Sequence, residues 1–489
     1  MEQDISLDIE AIKHRSIHGL TALIIRSFFI QAFTFFATFI LTVILAPSVF
    51  GVFFVVSAIL NFFVYFSDIG LAAALVQKKE EITKTDLSST FTIQQVIIVT
   101  LVVLGLLFSG TIGKFYKLDA SGLLLLRVLI FSLFLSSLKT IPSIILERKL
   151  LFARLVIPQI AENIVFYATA IILAMKGFGV SSFTYAVLLR GIVGIIVVYA
   201  VSPWMPSFKF DKVVAKKLVS FGVPFQLNSI LALLKDDFLI IILGKFLSFT
   251  QLGYIGWAQK WAFTPLRFFM DNVIKVTFPS YSRLQENKEH LEKAINKSLF
   301  FVTLTVFPCV LGMLALAPRI VEIIPKYQKW EAAIPLLYLY GINALFASVN
   351  TTLTNIIFAL GKPKIILKLM VFWTALTWVL TYFLVIKYGY IGVAAASAIV
   401  AGSTSIIVYY VKKEVSVSII GSIKVPAAAA FLMLFSIKLV GNYIPNNVIS
   451  LFALIFLGVV VYLAVSLVFL KEQLLKDIKT MSQSLIKRS

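Results

Sequence analysis

Residues 253–275 carry four charged side chains in a segment otherwise apolar enough to span a membrane: Lys260, Arg267, Asp271 and Lys275. At about 100° per residue of an α-helix, the four fall within an arc of roughly 80° and form a polar stripe. Lys260 and Lys275 are about 22 Å apart on such a helix, so the stripe extends through much of a hydrocarbon core roughly 30 Å thick. Each charge near the bilayer centre costs about 2.5–3.5 kcal/mol on insertion scales. The stripe therefore predicts a surface that faces water, a partner or a charged ligand.

Other basic residues also fall inside apolar spans. Arg26, Arg190 and Lys235 join Lys260 and Arg267 of the stripe as cations that are harder to explain by extension to the headgroups, and we predict that these five line a polar cavity. Asn228 joins this set because it shares a helical face with Lys235. Three others lie near span ends, where we favour extension of the side chain to the headgroups: Arg127, Lys139 and Lys438. A cavity with several Arg and Lys side chains can replace the hydration of a phosphate group by charge-assisted hydrogen bonds.

Acidic residues are rarer inside the spans: Asp68, Glu162, Asp236, Asp237 and Asp271. Asp271 is one helical turn from both Arg267 and Lys275, so an intrahelical ion pair and a proton or cation site are both open interpretations. Asp237 points away from Lys235 on a helix, and we expect it to pair with another helix.

Composition places the whole chain in a membrane. The 489 residues are 60% hydrophobic and only 14% charged, with a mean hydropathy of +0.97. The net charge of +21 is scattered between apolar spans, which favours topology and headgroup contacts over nucleic acid. One cysteine and three histidines make a metal site improbable, no cofactor motif is present, and the P-loop pattern that would indicate ATP hydrolysis is absent.

Fourteen apolar spans are long enough to cross a bilayer as helices. They cover residues 20–45, 49–76, 90–113, 121–146, 155–175, 181–203, 218–244, 251–280, 298–318, 332–360, 365–386, 390–411, 421–441 and 447–470. The loops on one side hold 27 Lys and Arg residues and those on the other side hold 8. The positive-inside rule therefore predicts that both termini are cytoplasmic in a multi-pass protein of the cell membrane.

An internal repeat relates the two halves of the chain. The segment LAPSVFGVFFV aligns with LSFTQLGYIGWA, which pairs Gly51 with Gly253, and MKGFGVSSFTYAV aligns with IKYGYIGVAAASA. We predict an all-α polytopic membrane protein of about 14 transmembrane helices, with two pseudo-symmetric six-helix bundles, residues 1–217 and 218–413, and two extra helices with a tail, residues 414–489. Parallel repeats of this kind place a substrate site between the halves. Asp68 lies near the position equivalent to Asp271, which makes both candidates for ion coupling.

Four stretches resemble a known family: LAPSVFGVF, SDIGLAAALVQKKEEITKTDLSSTFT, LGYIGWAQKWAFTPLRFFMDNVIKVTFPSYSRLQ and YQKWEAAIPLLYLYGINALFASVNTTLTNIIFALGKPK. Together they are similar to the Wzx-type oligosaccharide flippases of the MOP exporter superfamily, which are related to the lipid II flippase. The resemblance implies alternating access around a cationic central cavity and a substrate made of an oligosaccharide on a polyprenyl diphosphate. It also implies a substrate role for Arg26, because flippases of this group often have arginine there.

The expected function is therefore translocation of a polyprenyl-diphosphate-linked oligosaccharide from the cytoplasmic to the outer leaflet. The alternative is a cation-coupled exporter of small molecules from the same superfamily, although a basic interior disfavours cationic substrates. No loop is long enough for the catalytic domain of a membrane enzyme, so we expect no enzymatic activity. Expected partners are the lipid-linked oligosaccharide, membrane lipids and glycan-assembly proteins, and the sugar is expected to contact Trp257, Trp261, Gln226 and Asn228 unless the two indoles belong to the core.

Overall fold

A computed structural model describes residues 27–67, 70–77, 82–149, 151–216, 218, 220, 233–234 and 237–486. Every regular element in these ranges is a helix, which confirms the predicted all-α class. The chain divides into two compact units, unit 1 up to Gly256 and unit 2 from Trp257. The three-part division at residues 217 and 413 stays a prediction, and the boundary between the units falls inside a continuous helix.

Unit 1 contains nine helices with defined bounds among its described residues. They are α1 (Ser27–Ile44), α2 (Pro47–Ser67), α3 (Leu71–Gln77), α4 (Lys84–Phe115), α5 (Ala120–Ser137), α6 (Thr140–Arg148), α7 (Phe152–Met175), α8 (Ser181–Val201) and α9 (Asp237–Phe246). Helix α10 (Phe249–Leu284) starts in unit 1 and continues into unit 2. Unit 2 then holds α11 (Lys288–Ile323), a 3-10 helix (Gln328–Ala333), α12 (Ile334–Ala359), α13 (Pro363–Tyr388), α14 (Ile391–Gly402), α15 (Thr404–Glu414), α16 (Ile419–Gly441) and α17 (Val448–Ile486).

Among the described residues, twelve helical segments are long and apolar enough to cross a membrane, and they correspond to twelve of the fourteen predicted spans. The predicted span 218–244 lies largely outside the described residues. The predicted span 251–280 is helical throughout as part of α10, but its polar stripe lowers its hydropathy. The prediction of about fourteen transmembrane helices is consistent with this count.

Local sequence signals explain where helices begin. Thr83 and Asp86 form a capping box at the start of α4: Thr83 Oγ1 accepts from the Asp86 N–H at 3.1 Å, and Asp86 Oδ2 accepts from the Thr83 N–H at 2.8 Å. At the start of α5, Asp119 Oδ1 accepts from the Gly122 N–H at 2.8 Å. Such side chains satisfy backbone donors that have no partner within the helix.

The predicted span 121–146 is two helices rather than one. Helix α5 ends at Ser137 and α6 begins at Thr140, so Lys139 lies at the break. Pro142 has no N–H to donate to the Leu138 carbonyl one turn earlier. The hydroxyl of Tyr199 on α8 donates to that carbonyl at 3.0 Å, which ties the break to the neighbouring helix.

The two glycines aligned by the internal repeat make reciprocal contacts inside unit 1. A Cβ atom on Gly51 would collide with the carbonyl oxygen of Phe249, the first residue of α10. A Cβ atom on Gly253 would collide in the same way with the carbonyl oxygen of Pro47, the first residue of α2. Gly253 lies four residues after Phe249, and Gly51 lies four residues after Pro47. Each glycine therefore contacts the carbonyl one helical turn before the other glycine. The starts of α2 and α10 therefore pack backbone to backbone through a pseudo-symmetric contact that requires glycine.

In unit 2, α11 packs against α12, α16 and α17. Pro308 lies inside α11 and deprives the Leu304 carbonyl of its helical donor. The hydroxyl of Tyr462 on α17 donates to this carbonyl at 2.7 Å. A proline and a tyrosine on a neighbouring helix thus repeat in unit 2 the arrangement of Pro142 and Tyr199 in unit 1.

An aromatic cluster fills the start of unit 2. Trp257 stacks on Trp330 with ring centroids 5.4 Å apart, and its indole N–H donates to the Tyr327 hydroxyl at 3.1 Å. Trp257 and Trp261 are only 6% and 7% exposed. The two indoles belong to the core, which is the alternative to a sugar contact that the sequence left open for them.

Candidate cationic cavity

Helices α7 and α8 form a hairpin that positions the charged groups of unit 1. The turn between them contains Gly177 and Gly179, whose φ angles of 84° and 53° lie in the left-handed region that favours glycine. On α8, Gly194 faces the Glu162 side chain of α7, and a Cβ there would collide with the Glu162 carboxylate. The missing side chain leaves room for a buried carboxylate between the two helices.

Glu162 bridges two cations from different helices. Lys139 Nζ, at the break between α5 and α6, donates to Glu162 Oε1 at 2.6 Å, and the two side chains are 15% and 11% exposed. Arg190 Nε on α8 donates to Glu162 Oε2 at 3.3 Å, and the Arg190 side chain is 49% exposed. The guanidinium carbon of Arg190 is also 5.9 Å from the centroid of the Phe166 ring.

These three residues, called the charge cluster below, line a cavity of about 430 Å³ in unit 1. Polar side chains of Ser143, Gln159 and Asn163 share the wall with apolar ones from α1, α7 and α8. With one carboxylate between two cations, the cluster carries a formal charge of +1. A cavity with this charge and several hydrogen-bonding groups is suited to an anion.

Arg190 is the one predicted substrate-binding residue that the described structure places in this cavity. Five predicted site residues lie outside the described residues: Arg26, Asp68, Gln226, Asn228 and Lys235. Asp271 lies on α10, but its side chain is also outside what the structure describes. The roles of these residues stay predictions.

Helix α10 presents Lys260 and Arg267 two turns apart in unit 2, and both side chains are exposed. Thr264, between them, donates its hydroxyl to the Lys260 carbonyl at 2.5 Å. Nearer the start of the same helix, Gly253 and Trp257 are buried. Helix α10 is therefore buried near its start and exposes two cations of the predicted stripe, Lys260 and Arg267.

Sequence reasoning missed the roles of Lys139 and Glu162. The expectation that Lys139 extends to the headgroups is wrong, because the ammonium group is paired with Glu162 and largely buried. A signal was present in the sequence: Glu162 is an acidic residue in the span that lies between the spans of Lys139 and Arg190. The expectation that Asp237 pairs with another helix is confirmed, because Asn61 Nδ2 on α2 donates to Asp237 Oδ1 at 2.9 Å.

The fold and the site define a polytopic membrane protein built from repeated helical segments, with a polar cavity of net positive charge among its helices. The chain belongs to the polysaccharide biosynthesis protein family, whose profile matches residues 40–335. This membership confirms the resemblance to the Wzx-type flippases of the MOP superfamily.

Curated relatives and a solved structure are similar over nearly the whole chain. The succinoglycan biosynthesis transport protein ExoT of Rhizobium meliloti is 23% identical over 91% of this chain and 91% of its own length. The probable low-salt glycan biosynthesis flippase Agl15 of Haloferax volcanii is 25% identical over 87% of this chain and 90% of its own. The lipid II flippase MurJ, in an inward closed conformation, superposes with a TM-score of 0.67 at 20% identity and covers 96% of this chain and 99% of its own. The likeness to MurJ establishes the fold.

Proposed function

We propose that this protein is a flippase that moves a polyprenyl-diphosphate-linked oligosaccharide from the cytoplasmic to the outer leaflet by alternating access through a cationic central cavity. The observation that carries the proposal is the polar cavity of unit 1, with Arg190 half-exposed in its wall and a net positive charge. Charged groups inside a membrane protein are costly and persist where they serve a ligand or a pathway. Here they would serve an anionic headgroup.

The chemistry of the proposed substrate matches this site. A diphosphate bears about two negative charges and cannot cross the hydrocarbon core without polar partners. An isolated ion loses its hydration free energy there, and lipid tails offer no hydrogen bonds or charges to replace it. Arginine binds phosphate oxygens with a planar set of donors, and lysine supplies a mobile point charge. The cavity of unit 1 has both types in Arg190 and Lys139. Their net positive charge disfavours the alternative, an exporter of cationic small molecules.

Family and relatives support the substrate class. The chain belongs to the polysaccharide biosynthesis family, and its relatives are named as a transport protein of succinoglycan biosynthesis and a flippase of glycan biosynthesis. These names describe transport rather than catalysis, in agreement with the expectation that this chain is not an enzyme. Membrane lipids and glycan-assembly proteins are the further partners we propose.

The excess of Lys and Arg in loops on one side supports a cell-membrane location with both termini cytoplasmic. Transport energy would come from the membrane potential, an ion gradient or consumption of the product on the outer side. Asp271 and Asp68 remain our candidates for ion coupling, and Arg26, Asn228 and Lys235 our further candidates for substrate binding.

The test is a flipping assay in vesicles that contain the purified full-length protein and a fluorescent polyprenyl-diphosphate oligosaccharide. We expect Arg190→Ala, Arg267→Ala and Arg26→Ala to lose flipping while insertion is retained. Lys293→Ala is the matched control, because Lys293 is a 70% exposed cation whose partner is Glu289 one turn away. Normal flipping in all three arginine variants would contradict the cationic cavity, and inactivity of the wild-type protein toward this substrate would contradict the function.

A further inference from the structure

The second half of the chain provides an internal control for the charge cluster. The repeat aligns residues 175–187 with 386–398, so α13 and α14 correspond to α7 and α8, and each pair packs along its length. At this spacing the counterparts of Lys139, Glu162 and Arg190 are three uncharged residues, Asn350, Trp373 and Ala401. No Asp, Glu, Lys or Arg occurs at residues 369–386 or 388–411. The repeated helix pair therefore forms without charges, and the cluster in unit 1 needs another explanation.

The two ion pairs of the cluster differ in strength. The bond between Lys139 and Glu162 is 2.6 Å long and joins two side chains that are at most 15% exposed. The bond between Arg190 and Glu162 is 3.3 Å long, and half of the Arg190 side chain is accessible. Partly exposed ion pairs contribute little to stability, whereas removal of one partner of a buried pair leaves a costly unpaired charge. Glu162 is thus held by Lys139, while Arg190 can exchange its partner at little cost.

We propose that Arg190 is an exchangeable phosphate-binding site and that Glu162 occupies it when the cavity is empty. A diphosphate group entering the cavity replaces Glu162 Oε2 at the Arg190 guanidinium, while Glu162 stays bound to Lys139. Gln159 and Asn163 line the same cavity, where Asn163 Nδ2 donates to the Gln159 carbonyl at 2.8 Å. This inference rests on the proposed function for the identity of the diphosphate, but the exchange itself concerns any phosphate anion.

The exchange gives Glu162 a use in transport. Two uncompensated cations would bind a diphosphate tightly and release it slowly, and a carrier requires binding weak enough for release. A carboxylate that returns to Arg190 competes with the departing phosphate. In the empty cavity, the carboxylate pairs with both cations. This pairing lowers the free-energy cost of burying them before the ligand binds.

The test measures binding of inorganic pyrophosphate to the purified full-length protein in detergent, by calorimetric titration at low salt. We expect Glu162→Gln to bind pyrophosphate at least about fivefold more tightly than wild type, because the competing ion pair is lost. Arg190→Gln will bind at least about tenfold more weakly, because one charge-assisted contact is lost. Lys293→Ala is the control and will bind like wild type. Pyrophosphate binding by Glu162→Gln that equals or falls below that of wild type would overturn the proposal.

A second variant covers the case in which Glu162→Gln does not fold. Glu162→Asp keeps a carboxylate that can pair with Lys139, but its side chain is shorter by one methylene. Because the ion pair with Arg190 is the longer of the two, at 3.3 Å against 2.6 Å, it will be the first to break. We expect Glu162→Asp to bind pyrophosphate more tightly than wild type, by a smaller factor than Glu162→Gln. Binding no tighter than that of wild type would contradict the exchange at Arg190.

Competition distinguishes a lipid headgroup from free phosphate. A short-chain polyprenyl diphosphate that displaces pyrophosphate from wild type, with the same ranking of variants, supports a headgroup site. Displacement by orthophosphate alone would overturn the headgroup assignment. If the wild-type protein does not flip the lipid-linked oligosaccharide but Glu162→Gln still tightens pyrophosphate binding, the proposed function fails and the exchange stands. Active flipping with no effect of Glu162 variants on pyrophosphate binding would instead overturn the exchange and leave the proposed function standing.

Discussion

Tyr462→Phe isolates a single hydrogen bond that crosses between two helices of unit 2. Pro308 cannot donate to the Leu304 carbonyl, and the Tyr462 hydroxyl is the donor in its place at 2.7 Å. Tyr462 is 8% exposed, so the substitution removes the hydroxyl from a buried site with little change in volume. An unsatisfied buried carbonyl costs about 1–3 kcal/mol in water-soluble proteins, and hydrogen bonds between transmembrane helices average about 0.6 kcal/mol with a maximum near 1.7. We therefore expect a loss of about 1–2 kcal/mol.

The assay is thermal unfolding of the purified protein in detergent, followed by tryptophan fluorescence. For a unit of this size, a loss of 1 kcal/mol lowers the melting temperature by about 2–4 °C, so we expect a decrease of about 2–8 °C. Tyr443→Phe is the control, because Tyr443 is 82% exposed and its substitution will leave the melting temperature unchanged. A second step removes the cause: Pro308→Ala restores a backbone N–H for Leu304.

In the Pro308→Ala background, the loss caused by Tyr462→Phe will shrink, because the carbonyl has regained its helical donor. A double-mutant cycle measures this coupling directly. Strictly additive effects of the two substitutions would refute the view that the tyrosine compensates for the proline. The same reasoning applies to Tyr199 and Pro142 in unit 1, where the hydroxyl contacts the Leu138 carbonyl at 3.0 Å.

Three further predictions concern packing, capping and coupling. Gly253→Ala places a methyl group against the Pro47 carbonyl and will destabilise the protein by about 1–3 kcal/mol in thermal unfolding. Gly110→Ala is the control, because its new methyl group meets no atom within 4 Å and will not destabilise the protein. Equal stability of the two variants would contradict the close contact. Thr83→Ala removes an N-cap of α4 and will cost about 1 kcal/mol, and no change in the denaturant midpoint would mean that the cap is replaced by water. Asp271→Asn will alter the pH or sodium dependence of flipping in vesicles, and an unaltered dependence would reduce Asp271 to a structural counter-ion.

Much of the site was accessible from the sequence because a charge in an apolar span is costly wherever the helix lies. Arg190 was predicted to face a polar cavity on this ground, and it lines one. The partner of Asp237 was predicted to come from another helix, and it comes from α2. In contrast, Lys139 was assigned to the headgroups, since a position near a span end permits that equally well. Its partner could not be predicted because Glu162 is 23 residues away on another helix. The break before α6 and the packing of α7 bring the two side chains together.

The helical character of the apolar segments could be predicted from the sequence alone, since a lipid environment satisfies no backbone hydrogen bonds and therefore requires each long apolar segment to be helical. The break within the predicted span 121–146 could not. The internal repeat aligned Gly51 with Gly253. It did not predict that each glycine contacts the first residue of the helix that contains the other. Which face of each helix is buried depends on its neighbours, as buried Trp257 and exposed Arg267 on the same helix demonstrate. Only the tertiary structure decided that Glu162 bridges Lys139 and Arg190, because ion pairing depends on separations of a few ångströms between helices that the hydropathy pattern does not specify.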